Sequence, residues 1–290
     1  MIFVIIPVFN RWQYTKECLI SLNAQEYKNF KVVVVDHGST DETYNCLKNE
    51  FPNVIVLKGD ESMWWTAATN LGIKYAVKEN CSHILCLNND LIVNSNYIQA
   101  FIDLSAKQPK SLIGSIAIDK NNTDKVIFKG IIWNKWTAKY QSLAKKNEIP
   151  YNYEKSEYYY SDLLPGRGTL IPVSAFKEVG FFDEVNFPHY GADEDFSLRC
   201  KRNGYALLVS KKAIVKSVVE ATGLNKISNQ SLLKYLKDVL NSIKSPLNLK
   251  RRWLWAKRHS PFPLLYFFFD VIRILVFILK ERSGKKLTRI

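Results

Sequence analysis

Two runs near the start of the chain, Ile2-Phe-Val-Ile-Ile6 and Lys31-Val-Val-Val-Val-Asp36, are apolar and largely β-branched without alternation. Strands covered on both faces of a parallel sheet read this way, whereas half-exposed strands alternate. Between the runs, Cys18, Leu19 and Leu22 fall at helical spacing and predict a helix over 14–25. A helix crossing between two buried strands is a βαβ unit. The pattern repeats, with helices over 40–49 and 65–79 and strands over 54–57 and 83–87. Such alternation predicts an α/β domain with a mostly parallel sheet flanked by helices. From 119 to 160 it loosens into polar, Lys- and Tyr-rich sequence, either an insertion over an acceptor or a surface excursion. Order returns with Gly166-Arg-Gly-Thr169 and a helix over 174–179.

Ligands of open α/β sheets bind beyond the carboxyl ends of the strands. The segments there are Pro7-Val-Phe-Asn10, Asp36-His-Gly-Ser-Thr-Asp41, Gly59-Asp60 and Asn88-Asn-Asp90, and three of the four carry a carboxylate. Each such residue can bind a ligand or simply cap the following turn or helix.

Composition narrows the class. The 290 residues are 47% hydrophobic and 23% charged, which excludes a disordered or fibrous chain. Lys and Arg number 41 against 27 Asp and Glu, a net charge of +14, so an anionic partner is expected. From Asn241 onward there are twelve basic residues against Asp270 and Glu281, a net +10. The excess is therefore C-terminal, and there it is interleaved with a long apolar stretch, which argues against nucleic acid. Five cysteines without a CxxC pair exclude a disulfide framework or zinc site and point to a reducing compartment. The first apolar run ends at Pro7 with no basic segment before it, so no signal peptide is expected.

Five motifs in order resemble glycosyltransferase family 2: Ile-Pro-Val-Phe-Asn10, Val-Asp36-His-Gly-Ser-Thr-Asp41, Asn70-Leu-Gly-Ile73, Asn88-Asn-Asp90 and Gly191-Ala-Asp-Glu-Asp-Phe-Ser-Leu-Arg199. The resemblance implies a GT-A (Rossmann-like) fold over residues 1–222 and inverting transfer from a nucleotide diphosphate sugar. It implies a divalent cation, Mg2+ or Mn2+, held by Asp90 against the charge of the leaving diphosphate. Because amides replace the first two acids of the family's DXD-type motif, the cation would be shared with phosphate oxygens and water. Asp36 is similar to the family residue facing the nucleotide base, with Pro7, Phe9 and Asn10 as the pocket wall. Asp60, Asn70, Asn89 and Arg167 are the further donor contacts implied. His37 departs from the family pattern and takes no role.

Inverting transfer to a hydroxyl needs one general base. The acidic cluster resembles the family's acidic motif, with Asp193 as base, Glu194 as its rival and Asp195 as the negative charge of a helix first turn. The start of the helix over 65–79 offers N–H groups to a phosphate. Trp64 and Trp65 there are bulkier than the family pattern, and one of them is expected in the core.

Residues 261–279 are almost wholly apolar, interrupted by Asp270 and Arg273 and flanked by cations including Lys285 and Lys286. A helix lying in the interface of an anionic membrane is favoured over a spanning one. The alternative is helices of the segment 223–290 packed on protein or on a dimer partner. The reading is a cytoplasmic enzyme, peripheral on the inner face of the cell membrane, that extends a surface glycan on a lipid-linked acceptor. Two alternatives stand beside it: transfer to polyprenyl phosphate, which needs no base, and a non-catalytic membrane-binding protein on the same scaffold.

Overall fold

The computed structural model describes residues 1–144, 156–217 and 240–282. The proposed boundary at 222/223, the stretch 218–239 that directly follows β12, and Lys285, Lys286 and Arg289 lie outside the described residues. β1 (Ile2–Val8), α1 (Trp12–Asn23), β2 (Phe30–Asp36), α2 (Thr43–Glu50), β3 (Ile55–Lys58), α3 (Trp65–Lys78) and β4 (His83–Cys86) form the first half. There follow β5 (Leu91–Val93), α4 (Tyr97–Lys107), β6 (Ser111–Asp119), β7 (Val126–Phe128), β8 (Ile131–Asn134), β9 (Lys139–Ser142) and β10 (Tyr158–Tyr160). The chain continues with β11 (Thr169–Pro172), α5 (Val173–Val179), α6 (Ala192–Arg202), β12 (Ala206–Ser217), α7 (Leu249–His259) and α8 (Pro263–Arg282).

The main sheet runs β10-β12-β6-β11-β4-β1-β2-β3. β1 is parallel to β2 and β4, β2 to β3, and β6 to β12, while β11 is antiparallel to both β4 and β6. From β12 to β3 only β11 is reversed. The non-alternating runs sit where their pattern predicts: Ile2 to Val8 are all buried, as are Val32 to Asp36. Apolar residues on both faces then bury without exposing any to water. The five cysteines are free thiols, and all but Cys46 are buried.

The 119–160 segment grips the C-terminal helices. Trp133 of the β8–β9 hairpin and Trp255 of α7 each donate an indole N–H to the Tyr266 hydroxyl of α8 at 3.0 Å. Buried aromatic rings with their polar atoms paired make a strong clamp. Trp255, Ala256 and Tyr266 thereby join the main core, and Leu247, Ile274, Phe277 and Ile278 make a smaller one. Of the described helices, none is long and apolar enough to cross a membrane.

Candidate active site

Parallel register brings the strand ends together. Val8 lies beside Asp36 across β1 and β2, and Asp36 beside Lys58 across β2 and β3. Asp36 is buried, and its Oδ1 accepts the Ser39 N–H at 2.9 Å. Its carbonyl takes the Gly59 N–H at 2.8 Å, drawing the Asp60 loop against it. Phe9 is exposed and stacks on His37 with ring centroids 5.5 Å apart. Gly38 closes this corner at φ +104°, where a Cβ would meet Glu61 N at 2.7 Å.

Several predicted donor residues are instead occupied by protein. Asn70 is buried; its amide donates to Phe182 O at 2.9 Å and to Glu184, and its Oδ1 accepts from Phe182 N at 3.2 Å. It fixes the chain before α6. Asn10 Oδ1 accepts Thr40 N at 2.7 Å and Asp41 N at 3.3 Å, so this amide stitches two strand-end loops together. Asn89 Nδ2 donates to Thr15 at 2.9 Å. Pro7 is buried inside β1 opposite Val35. Asp60 accepts the Ser62 N–H at 2.9 Å and the Ser62 hydroxyl, the capping alternative, and these bonds hold its carboxyl below the usual range. The start of α3 is covered as well. Thr66 N donates to Pro188 O at 3.1 Å and Thr66 Oγ1 to Phe187 O at 2.6 Å. Part of the donor set expected to receive a phosphate is thereby consumed.

The chemistry gathers at β4, the Gly166 turn and α6. Of the two tryptophans, Trp65 is the packed one, stacked on Phe182 at 5.8 Å with its indole N–H on Asn88 Oδ1 at 3.0 Å. Gly166 passes so close to it that a Cβ would lie 2.5 Å from Trp65 Cη2. The glycine therefore makes room for a side chain of this protein. In return Gly166 N donates to Asp193 Oδ2 at 2.6 Å, and Glu194 N donates to Asp193 Oδ1 at 3.0 Å. Both oxygens of Asp193 are thus held by backbone at the start of α6.

Three acids share one cation. Burial pushes the carboxyls of Asp90 and Asp193 above their usual range, and Arg167 acts against the shift in both. Glu194 is pushed up to about 7 by burial and by Asp193, with Arg251, Arg252 and Arg167 opposing. Among the described residues no three His, Cys, Asp or Glu side chains cluster as metal ligands. Asp90, half-buried and with its ionised form disfavoured, fits a cation completed by phosphate and water, not one caged by protein.

Asp195 plays a different part. It is fully buried, bonded to Arg199 Nε, Arg258 Nη1 and His259 Nε2, each at 2.9 Å. Burial favours its neutral form, but the bond from His259 and the charges of Arg199 and Arg258 outweigh burial and bring it to about 2. It is the helix-start charge foreseen, and it also ties α6 to α7.

Sequence reasoning missed His189 and Arg251. His189 packs against Trp64 at 5.9 Å, and its buried Nδ1 has no hydrogen-bond partner among the described residues. Burial, then Arg251, His37 and Lys244, bring it down to about 4. Arg251 lies over the Tyr190 ring at 5.5 Å and acts on Glu194 from α7. Nothing local marks either residue, because the contacts that place them reach from His189 back to Trp64 and from Arg251 back to Tyr190.

A sheet with acidic strand ends facing a carboxylate-bearing helix start defines a GT-A glycosyltransferase fold. The chain belongs to the family described as glycosyl transferase family 2, whose family model matches residues 3–164. An uncharacterised glycosyltransferase of Rickettsia typhi is 26% identical over 196 residues, covering 63% of this chain and 54% of that one. A second, from Rickettsia prowazekii, is 24% identical and covers 81% and 69%. The chain thus spans little more than half of the Rickettsia typhi relative. The fold is similar to GalNAc-T7, solved with UDP, GalNAc and Mn2+, at TM-score 0.63 and 16% identity, covering 89% of this chain and 50% of that one. It is also similar to Staphylococcus aureus TarS 1–349 in complex with UDP-GlcNAc, at TM-score 0.54 and 16% identity, covering 88% and 70%.

Proposed function

We propose that the protein transfers a sugar from a nucleotide diphosphate sugar to an acceptor hydroxyl with inversion. The observation that carries this reading is Asp193, held by two backbone N–H groups at the Gly166 turn and sharing the cation Arg167 with Asp90. The nucleotide enters over Phe9, His37 and Asp36, where the base stacks on the exposed Phe9 ring and Asp36 accepts from its N–H edge. Asp90 would hold a divalent cation there, which would supply neutralisation of the charge that builds on the leaving diphosphate. Arg167 adds a fixed positive charge beside it. Asp193 takes the proton from the acceptor hydroxyl as that oxygen attacks in line. Its raised pKa suits a base, and its anchored oxygens suit a fixed attack direction.

The acceptor in this reading is a surface glycan growing on a lipid carrier, met at the inner face of the cell membrane. The UDP and UDP-GlcNAc seen with TarS and the Mn2+ seen with GalNAc-T7 support a nucleotide-sugar donor and a cation. Calorimetric titration of UDP, GDP, dTDP and CDP, with and without Mn2+, tests the donor site in wild type and Asp90→Ala. One nucleotide should bind in a metal-dependent way, and Asp90→Ala should lose that dependence. Equal metal-dependent binding by Asp90→Ala removes Asp90 from the role.

A further inference from the structure

Both charges that interrupt the apolar C-terminal segment turn toward the protein. Asp270 is buried and takes Arg252 Nη1 at 3.0 Å, while Arg273 reaches the Thr137 carbonyl. Solvent meets a different face. Leu264, Leu265, Phe268, Ile272, Leu275 and Leu279 are exposed, Leu264 at 77% and Phe268 at 59%. They recur every three or four residues, so they line one side of α8 for about 22 Å. Phe262 and Trp136, rings 5.2 Å apart, carry the stripe past the helix start. A continuous apolar stripe of this length marks an interaction surface.

The neighbouring charge says which surface it meets. Beside Phe262 lies a cavity of about 510 Å³ lined by Lys135, Lys201, Arg202 and Arg258, with Asp162 its single lining carboxylate. Lys201 is paired with Asp162 at 2.6 Å, and Arg258 with Asp183 and Asp195 at 2.7 and 2.9 Å. Lys135 and Arg202 have no carboxylate partner among the described residues. Lys257 on α7 and Lys280 on α8 are exposed as well. A second copy seated on this stripe by two-fold symmetry would bring its own cationic border against this one. An anionic bilayer offers apolar depth and opposite charge together.

We propose that α8 docks this face into the headgroup–acyl boundary of an anionic membrane, with Lys135 and Arg202 receiving lipid phosphates. The inference deepens the lipid-linked acceptor reading and rests on it for its purpose, though its test does not require transfer. Flotation of the full chain with vesicles of phosphatidylcholine, alone or with phosphatidylglycerol, reads the docking directly. Wild type should float with the anionic vesicles, and 0.5 M salt should weaken this. Leu264→Glu/Phe268→Glu, at two exposed positions, should keep the wild-type circular dichroism and bind about tenfold more weakly or worse. Lys135→Glu should lose binding to anionic vesicles only. Unchanged flotation by the double variant overturns the proposal, as does equal binding to both vesicle types. A dimer in wild type that the double variant dissolves, with no flotation by either, also overturns it and makes a second copy the occupant. Nucleotide titration on the same samples separates this outcome from failure of the donor site.

Discussion

Asp195 of α6 accepts a hydrogen bond from His259 Nε2 of α7 at 2.9 Å across sixty-four positions of sequence. Arg202 donates to the other ring nitrogen, His259 Nδ1, at 3.0 Å. Two neighbours thus fix the neutral tautomer with its proton on Nε2. Burial lowers the His259 pKa further, against the opposing pull of Asp195. The helix that carries Asp193 is therefore oriented by the segment that carries α8.

Removing this carboxylate should be costly. Asp195→Ala leaves Arg199 and His259 without their buried acceptor, a class of change that costs about 3–5 kcal/mol, while Arg258 keeps Asp183. Urea unfolding of the variant measures the loss. The wild-type advantage should also depend on pH. The folded pKa of Asp195 is depressed to about 2, so its contribution is full above the unfolded value near 4 and fades as pH falls toward 2. A difference between the two proteins that stays constant from pH 6 to pH 2 would contradict the network.

Asp193→Asn separates base from scaffold. The amide keeps an oxygen for the Gly166 N–H but cannot take a proton, so kcat should fall by about 10²–10⁴ while nucleotide affinity holds. Glu194→Gln should retain most of the rate. Loss of rate in Glu194→Gln with Asp193→Asn active would exchange the two assignments.

The acid pair also sets a pH dependence. Asp193 is raised by burial, and Glu194 is raised to about 7 by burial and by Asp193. A base works deprotonated, so kcat/KM should rise with pH, and its acid limb should lie above the ordinary carboxylate range. The two groups titrate as a pair. In Glu194→Gln the limb should move to lower pH, because one of two adjacent buried negative charges is gone. A limb that stays in place shows that some other group controls it.

β1, β2 and α3 were legible because Ile2 to Ile6, Lys31 to Asp36 and the stretch from Trp65 carry their pattern locally. α3 begins at Trp65 as predicted, and β2 ends on Asp36. The reversal of β11 was not legible, since Thr169-Leu-Ile-Pro172 has the same residues in either direction. The packing role of Asn70 was not legible for a similar reason: a motif gives a position in the chain, while its partner Phe182 lies 112 residues away. The tail shows the gap most clearly. Asp270 and Arg273 interrupt the apolar run in sequence, but helical geometry turns both of them inward and leaves the outer stripe unbroken.

Gly166 offers the sharpest test of how the site is built. In Gly166→Ala the new methyl would sit 2.5 Å from Trp65 Cη2 and 3.3 Å from Asp193 Cβ. The Trp65 ring cannot simply yield, because Phe182 stacks on it at 5.8 Å and its indole N–H holds Asn88 at 3.0 Å. Either the ring turns and releases the Asn88-Asn-Asp90 turn, or the backbone retreats and Gly166 N leaves Asp193. Overpacking of this kind costs about 1–3 kcal/mol of stability. The rate should suffer more than the fold, because either movement displaces a group that meets the substrates, and kcat/KM should drop about tenfold or more. Trp65→Phe, added to Gly166→Ala, removes the clashing ring atoms without restoring the bond to Asn88. The double variant should therefore regain stability and stay slow, a pattern that simple loss of folding would not give.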